Sequence, residues 1–106
     1  MTEENRKHPR VDLEILVQVR SDTIGQFREV HAKNISVGGM FIQTAAPKPL
    51  GTQLYFQFTV KDGGTLIEGL GKVVHASPHG MGIEFVSVLE PSASIIRSLV
   101  ENRTRR

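Results

Sequence analysis

The feature that most constrains this chain is a period-two hydrophobic alternation, interrupted at intervals by turn residues. In "VDLEILVQVR" (residues 11–20), Val11, Leu13, Ile15, Val17 and Val19 share one side, opposite Asp12, Glu14, Gln18 and Arg20. Only Leu16 breaks the pattern. Successive side chains of a strand point to opposite faces, so this stretch reads as a half-buried β-strand. The cleanest case is "QLYFQFTV" (53–60), where Leu54, Phe56, Phe58 and Val60 face in and Tyr55, Gln57 and Thr59 face out. Four further segments read as strands: 27–34 with weaker alternation, 40–44, 66–76 and 81–87.

Turn signals separate them: "SDTIGQ", "ISVGG", the loop around Pro47 and Pro49, "KDGG" and "SPHG". Gly69 and Gly71 inside the fifth strand predict a bulge or bend. After Pro91 and Ser92 the period changes. Ile95, Ile96, Leu99 and Val100 form one stripe of a helix over about 91–103, which Glu90 or Ser92 could cap. The expected fold is all-β: six strands joined by hairpins, closed into an antiparallel barrel, with a C-terminal α-helix covering an open edge or end. That stripe could equally pair with a second copy, so monomer and homodimer both stay open.

Length and charge narrow the function. A chain of 106 residues is the size of one domain. With no cysteine, disulfides, thiolate metal sites and cysteine nucleophiles are excluded. No apolar run reaches the ~18 residues of a membrane span and no signal-peptide core opens the chain, which predicts a cytoplasmic protein. The net charge of +2 is uneven. Residues 11–96 hold six Lys/Arg against eight Asp/Glu, while residues 97–106 hold four arginines against Glu101. A duplex-binding face would spread its cations along the body, so nucleic acid is an unfavoured partner, and Tyr55 is the clearest outward aromatic for stacking a base.

No catalytic constellation emerges. His75 and His79 stand four apart, a metal-pair spacing only on a helix, and Pro78 and Gly80 preclude one there. Ser36 lacks a nucleophile elbow, and the "GLG" at 69–71 opens no helix. Neither an enzyme nor a metal site is expected.

Two stretches carry a signal. "NISVGG" (34–39) sets an amide and a hydroxyl beside Gly38 and Gly39, which allow positive φ or close approach of a ligand to bare backbone. "RKHPR" (6–10) sets two arginines four apart around Pro9, a residue that disfavours helix and permits a turn at His8. Guanidinium groups converging from an arm suit phosphate or the O6/N7 edge of guanine.

The order R-x-x-x-R, then 23 residues, then [D/N]-x-S-x-x-G, on a six-stranded pattern ending in a helix, resembles the PilZ domain family of cyclic di-GMP (c-di-GMP) receptors. The resemblance covers nearly the whole chain, including "GMGIEF" late in it. It implies that Arg6 and Arg10 grip guanine edges and phosphates. Asn34 and Ser36 would hydrogen-bond the ligand, and Gly39 would hold the turn open; Lys7 and Gly38 are lesser candidates. Residues 1–10 would form a mobile arm that folds onto the barrel (11–103, followed by a short tail) and so alters the surface met by a downstream protein. Two other readings remain: a PilZ-like interaction module that binds no nucleotide, and a small RNA- or DNA-binding barrel.

Overall fold

Why each strand forms is set by its inward row of side chains, and these rows meet in a single core. In the computed structural model, residues 10–21, 26–59 and 65–104 are described. The strands are β1 (Val11–Arg20), β2 (Arg28–Ser36), β3 (Gly39–Gln43), β4 (Gln53–Thr59), β5 (Leu66–Ser77) and β6 (Gly80–Ser87), followed by helix α1 (Ser92–Thr104). They close into an antiparallel barrel of order β1-β2-β3-β6-β5-β4. Val17, Ala32, Ile35, Met40, Ile42, Leu54, Phe56, Ile67, Val73 and Ile83 fill it, all almost fully buried. Leu16, out of phase in the sequence, lies exposed on the outer face. Val60 and the "KDGG" turn lie outside the described residues, as do residues 22–25 of "SDTIGQ".

The barrel corrects one expectation. The strands are not all joined by hairpins, because β3 and β4 are not neighbours. Residues 44–52, with Pro47 and Pro49, carry the chain from β3 past β6 and β5 to β4. Closure then needs β4 to meet β1, which it does through Gln18–Arg20 and Tyr55–Gln57. Tyr55 faces out as expected, and the Arg20 guanidinium lies 5.4 Å from the centre of its ring and 4.6 Å from that of Phe27. Part of this outward aromatic surface is therefore occupied by a cation of the protein itself.

Bulges adjust the phase where the pattern weakens. On β2, Ala32 pairs with Ile42 and Asn34 with Phe41, leaving Lys33 as an extra residue. That bulge turns both Lys33 and Asn34 outward while Ala32 and Ile35 stay in the core. On β5, a register shift between Leu70 and Gly71 falls where the glycines predicted one, and a second, between Val73 and His75, was not anticipated.

The helix covers its own barrel. Ile96 and Val100 belong to the buried core, with Ile95 and Leu99 packed against it. Glu90 caps the first turn, its Oε1 accepting from the Ser94 N–H at 3.1 Å. Hydrogen bonds from Ser94 hold the Glu90 carboxyl below the usual carboxylate range. Ser92, the other candidate cap, is buried instead and ties the helix to the sheet, its Oγ accepting from the Glu68 N–H at 3.1 Å.

Candidate functional site

Both sequence motifs arrive at the start of β1 because β2 runs antiparallel to it. Val11 pairs with Ile35 and Asp12 with Asn34, so the residue just before β1 lies beside the end of β2. Arg10 is exposed there, and its Nη1 donates to Asn34 Oδ1 at 2.8 Å. Since a guanidinium offers only donors, this contact also fixes the amide: Oδ1 faces Arg10 and Nδ2 is left to donate elsewhere. Asn34 joins Asp12, Leu13, Glu14 and Lys33 in lining an open concavity of about 440 Å³ on the outer wall of β1 and β2. Within it, Glu14 Oε2 lies 3.8 Å from Lys33 Nζ and 3.4 Å from His31 Nδ1. Arg6 and Lys7, with the expected turn at His8-Pro9, lie outside the described residues.

Ser36 and Gly39 sit differently. Ser36 is 2% exposed. Its Oγ accepts from the N–H of Gly38 at 3.2 Å and of Gly39 at 3.1 Å, and donates to the Gly39 carbonyl at 3.4 Å. One donor and two lone pairs are all a hydroxyl has, so the turn engages Ser36 completely. Gly39 needs to be glycine for close approach to protein, since a Cβ there would collide with the Ile83 carbonyl of β6. Gly38 and Gly39 do not use positive φ; among the described residues Gly51 alone does, at 88°. The Gly38 carbonyl is also engaged, accepting from the Phe85 N–H at 2.8 Å.

The same device occurs at a second S-x-x-G, in the β5–β6 hairpin. Ser77 Oγ accepts from the His79 N–H at 3.3 Å and donates to the Gly80 carbonyl at 3.4 Å. A Cβ on Gly80 would meet the Ile42 carbonyl across the ladder. The serine and last glycine of "NISVGG" thus have an architectural reason to be there. Ser36→Ala strands the buried Gly39 N–H and the part-buried Gly38 N–H, so it should cost about 1–3 kcal/mol of stability, read from the urea midpoint. An unchanged midpoint would show that the hydroxyl does not organise this hairpin.

Arg10 of the first motif and Asn34 of the second meet on the outer wall of a six-stranded barrel packed by a C-terminal helix. A family model of the PilZ domain matches residues 4–102. This chain belongs to the PilZ domain family. Among solved structures, the PilZ chain is similar to MotI/DgrA, the Bacillus subtilis inhibitor of motility, with TM-score 0.79 and 18% identity over 100% of this chain. It spans about half, 54%, of MotI. The PilZ domain of YcgR from Escherichia coli, solved with c-di-GMP, gives TM-score 0.70 and 12% identity over 94% of this chain and 92% of that one. The PilZ domain of CeSA from a cellulose-synthesizing bacterium gives TM-score 0.67 and 19% identity over 88% and 95%. Comparison with curated proteins gave no match. At these identities the structural likeness concerns the fold.

Among the described residues no group of His, Asp and Glu could hold a metal, and no helix is long and apolar enough to cross a membrane. His75 is exposed on β5 and His79 in the turn that follows, consistent with surface histidines. The residue that sequence reasoning passed over here is Asp12. Its signal was available, because an outward acidic residue two positions after Arg10 must share its side of the strand.

Proposed function

We propose that this PilZ domain is a c-di-GMP receptor that relays ligand binding to a partner protein. The Arg10–Asn34 hydrogen bond carries the reading: it links the two motifs across 24 positions of sequence. It supports a ligand surface built from Arg10 and Asn34 with Arg6 of the N-terminal arm, and Lys7 beside them. Ser36, Gly38 and Gly39 shape the turn on which that surface rests. The pairing of a PilZ domain with c-di-GMP in YcgR supports the ligand class. PilZ domains are regulatory receptor domains rather than enzymes, and the likeness to an inhibitor of motility favours a protein target for the output.

Residues 1–10 contain few apolar side chains and cannot build a core of their own. Two arginines gripping one dinucleotide would fix this arm against the barrel and change the surface a partner meets. Titration calorimetry with c-di-GMP, with GTP and cyclic AMP as controls, should show selective binding. Amide exchange along residues 1–10 should slow with ligand. Selective binding with unchanged exchange would remove the arm-ordering output. Absence of binding would leave the interaction-module reading in its place.

A further inference from the structure

We propose that Asp12 reads the Watson–Crick edge of a guanine in the bound dinucleotide, and that with Arg10 it sets the preference for guanine over other purines. The inference rests on the c-di-GMP reading above. It begins from the hydrogen-bonding groups left unused around the concavity. Arg10 offers only donors, and Asn34 spends its carbonyl oxygen on Arg10. Those two residues can serve a base's acceptors, but guanine also carries the donors N1–H and N2–H₂.

Two carboxylates line the concavity. Glu14 faces two cations, Lys33 and His31. Asp12 is exposed, and no hydrogen bond or ion pair engages its carboxylate among the described residues. Directly opposite Asn34 in the β1–β2 register, its Cβ lies roughly 5 Å from that of Asn34. Alternate residues of an extended chain share a side about 6–7 Å apart, which puts Asp12 on the same side of the chain as Arg10 without an ion pair between them. A cation and a carboxylate so spaced match the adjacent edges of one guanine: the guanidinium fork takes O6 and N7, and the carboxylate accepts from N1–H and N2–H₂. Adenine would turn its N6–H₂ toward the guanidinium and its N1 lone pair toward the carboxylate, so both contacts become repulsive. An unpaired negative charge beside an anionic ligand opposes binding unless it meets donors, and the guanine edge supplies them.

Hypoxanthine keeps O6, N7 and N1–H but lacks the 2-amino group, so it isolates the N2–H₂ part of the carboxylate contact. Calorimetry should compare cyclic di-GMP, cyclic di-IMP and cyclic di-AMP on wild type, Asp12→Ala and Glu14→Ala, with melting curves to verify folding. Asp12→Ala should weaken cyclic di-GMP binding roughly 5- to 150-fold and bring its affinity ratio to cyclic di-IMP close to one. Glu14→Ala should leave that ratio unchanged. Equal or tighter cyclic di-GMP binding by Asp12→Ala, with the wild-type ratio kept, would overturn the assignment while the receptor reading stands. Failure of the wild type to bind cyclic di-GMP would overturn the receptor reading and this role with it.

Discussion

Arg10→Ala is expected to weaken c-di-GMP binding by roughly 30-fold to several thousandfold while leaving the barrel folded. The magnitude follows from truncating one member of a hydrogen-bonded charge pair that the bound ligand would bury, about 2–5 kcal/mol, at about 1.4 kcal/mol per tenfold. The location explains why stability should survive. Arg10 precedes β1, is exposed, and makes one exposed side-chain hydrogen bond, to Asn34. Removing it exposes no core surface and leaves Asn34 Oδ1 open to water, so the unfolding free energy should fall by no more than about 1 kcal/mol. Arg10→Lys is the informative companion, because lysine keeps the charge but not the planar fork that suits guanine or phosphate. It should recover only part of the lost affinity. Calorimetry on the three proteins at one salt concentration decides the matter. Equal affinity for wild type and Arg10→Ala would remove Arg10 from the ligand surface.

The ligand in that prediction comes from the family resemblance, but the meeting of Arg10 with Asn34 needs only chain order. An arginine just before one strand and an asparagine near the end of its antiparallel neighbour must lie side by side once those strands pair. The inward rows of β1 and β4, the stripe on α1 and the stray Leu16 were legible for a similar reason, since each is a local periodicity. What was not legible depends on partners. Period-two alternation says which face of β3 and β4 is apolar but not which strand each lies beside, so the crossing at 44–52 appears only in the closed barrel. The Lys33 bulge looked like weak alternation in "FREVHAKN", when it is two outward residues in succession that keep Ile35 in the core. Ser36 and Gly39 looked like ligand groups because a motif does not distinguish a residue that touches a ligand from one that builds the turn beneath it. The analogous hairpin at Ser77–Gly80 shows that the turn alone gives such residues a reason to be there, through a similar pair of hydroxyl contacts and the same crowding of the glycine by a neighbouring carbonyl. The expected contacts of Arg6 and Lys7 fall outside the described residues.

The largest expected effect on stability lies at Phe56, where a row of one strand meets a gap in the next. Phe56 is 2% exposed and pairs across the β4–β5 ladder with Gly69. A Cβ on Gly69 would stand 2.9 Å from the tip of the Phe56 ring, and one on Gly71 would stand 3.9 Å from its edge. The ring therefore fills the space that these two glycines leave, and it stacks on Phe85 with centroids 5.1 Å apart and on Phe58 at 6.3 Å. Offset aromatic contacts at such distances add to the area buried. Phe56→Ala would empty this space where neither glycine has a side chain to collapse into it. The expected loss is about 3–5 kcal/mol, a large share of the roughly 5–15 kcal/mol that holds a typical domain folded. Phe56→Leu, which keeps most of the volume, should lose distinctly less. Guanidinium denaturation of the three proteins measures both. A loss below about 1 kcal/mol for Phe56→Ala would mean that the barrel closes over the gap, and that Gly69 and Gly71 serve the bend of β5 rather than the seating of this ring.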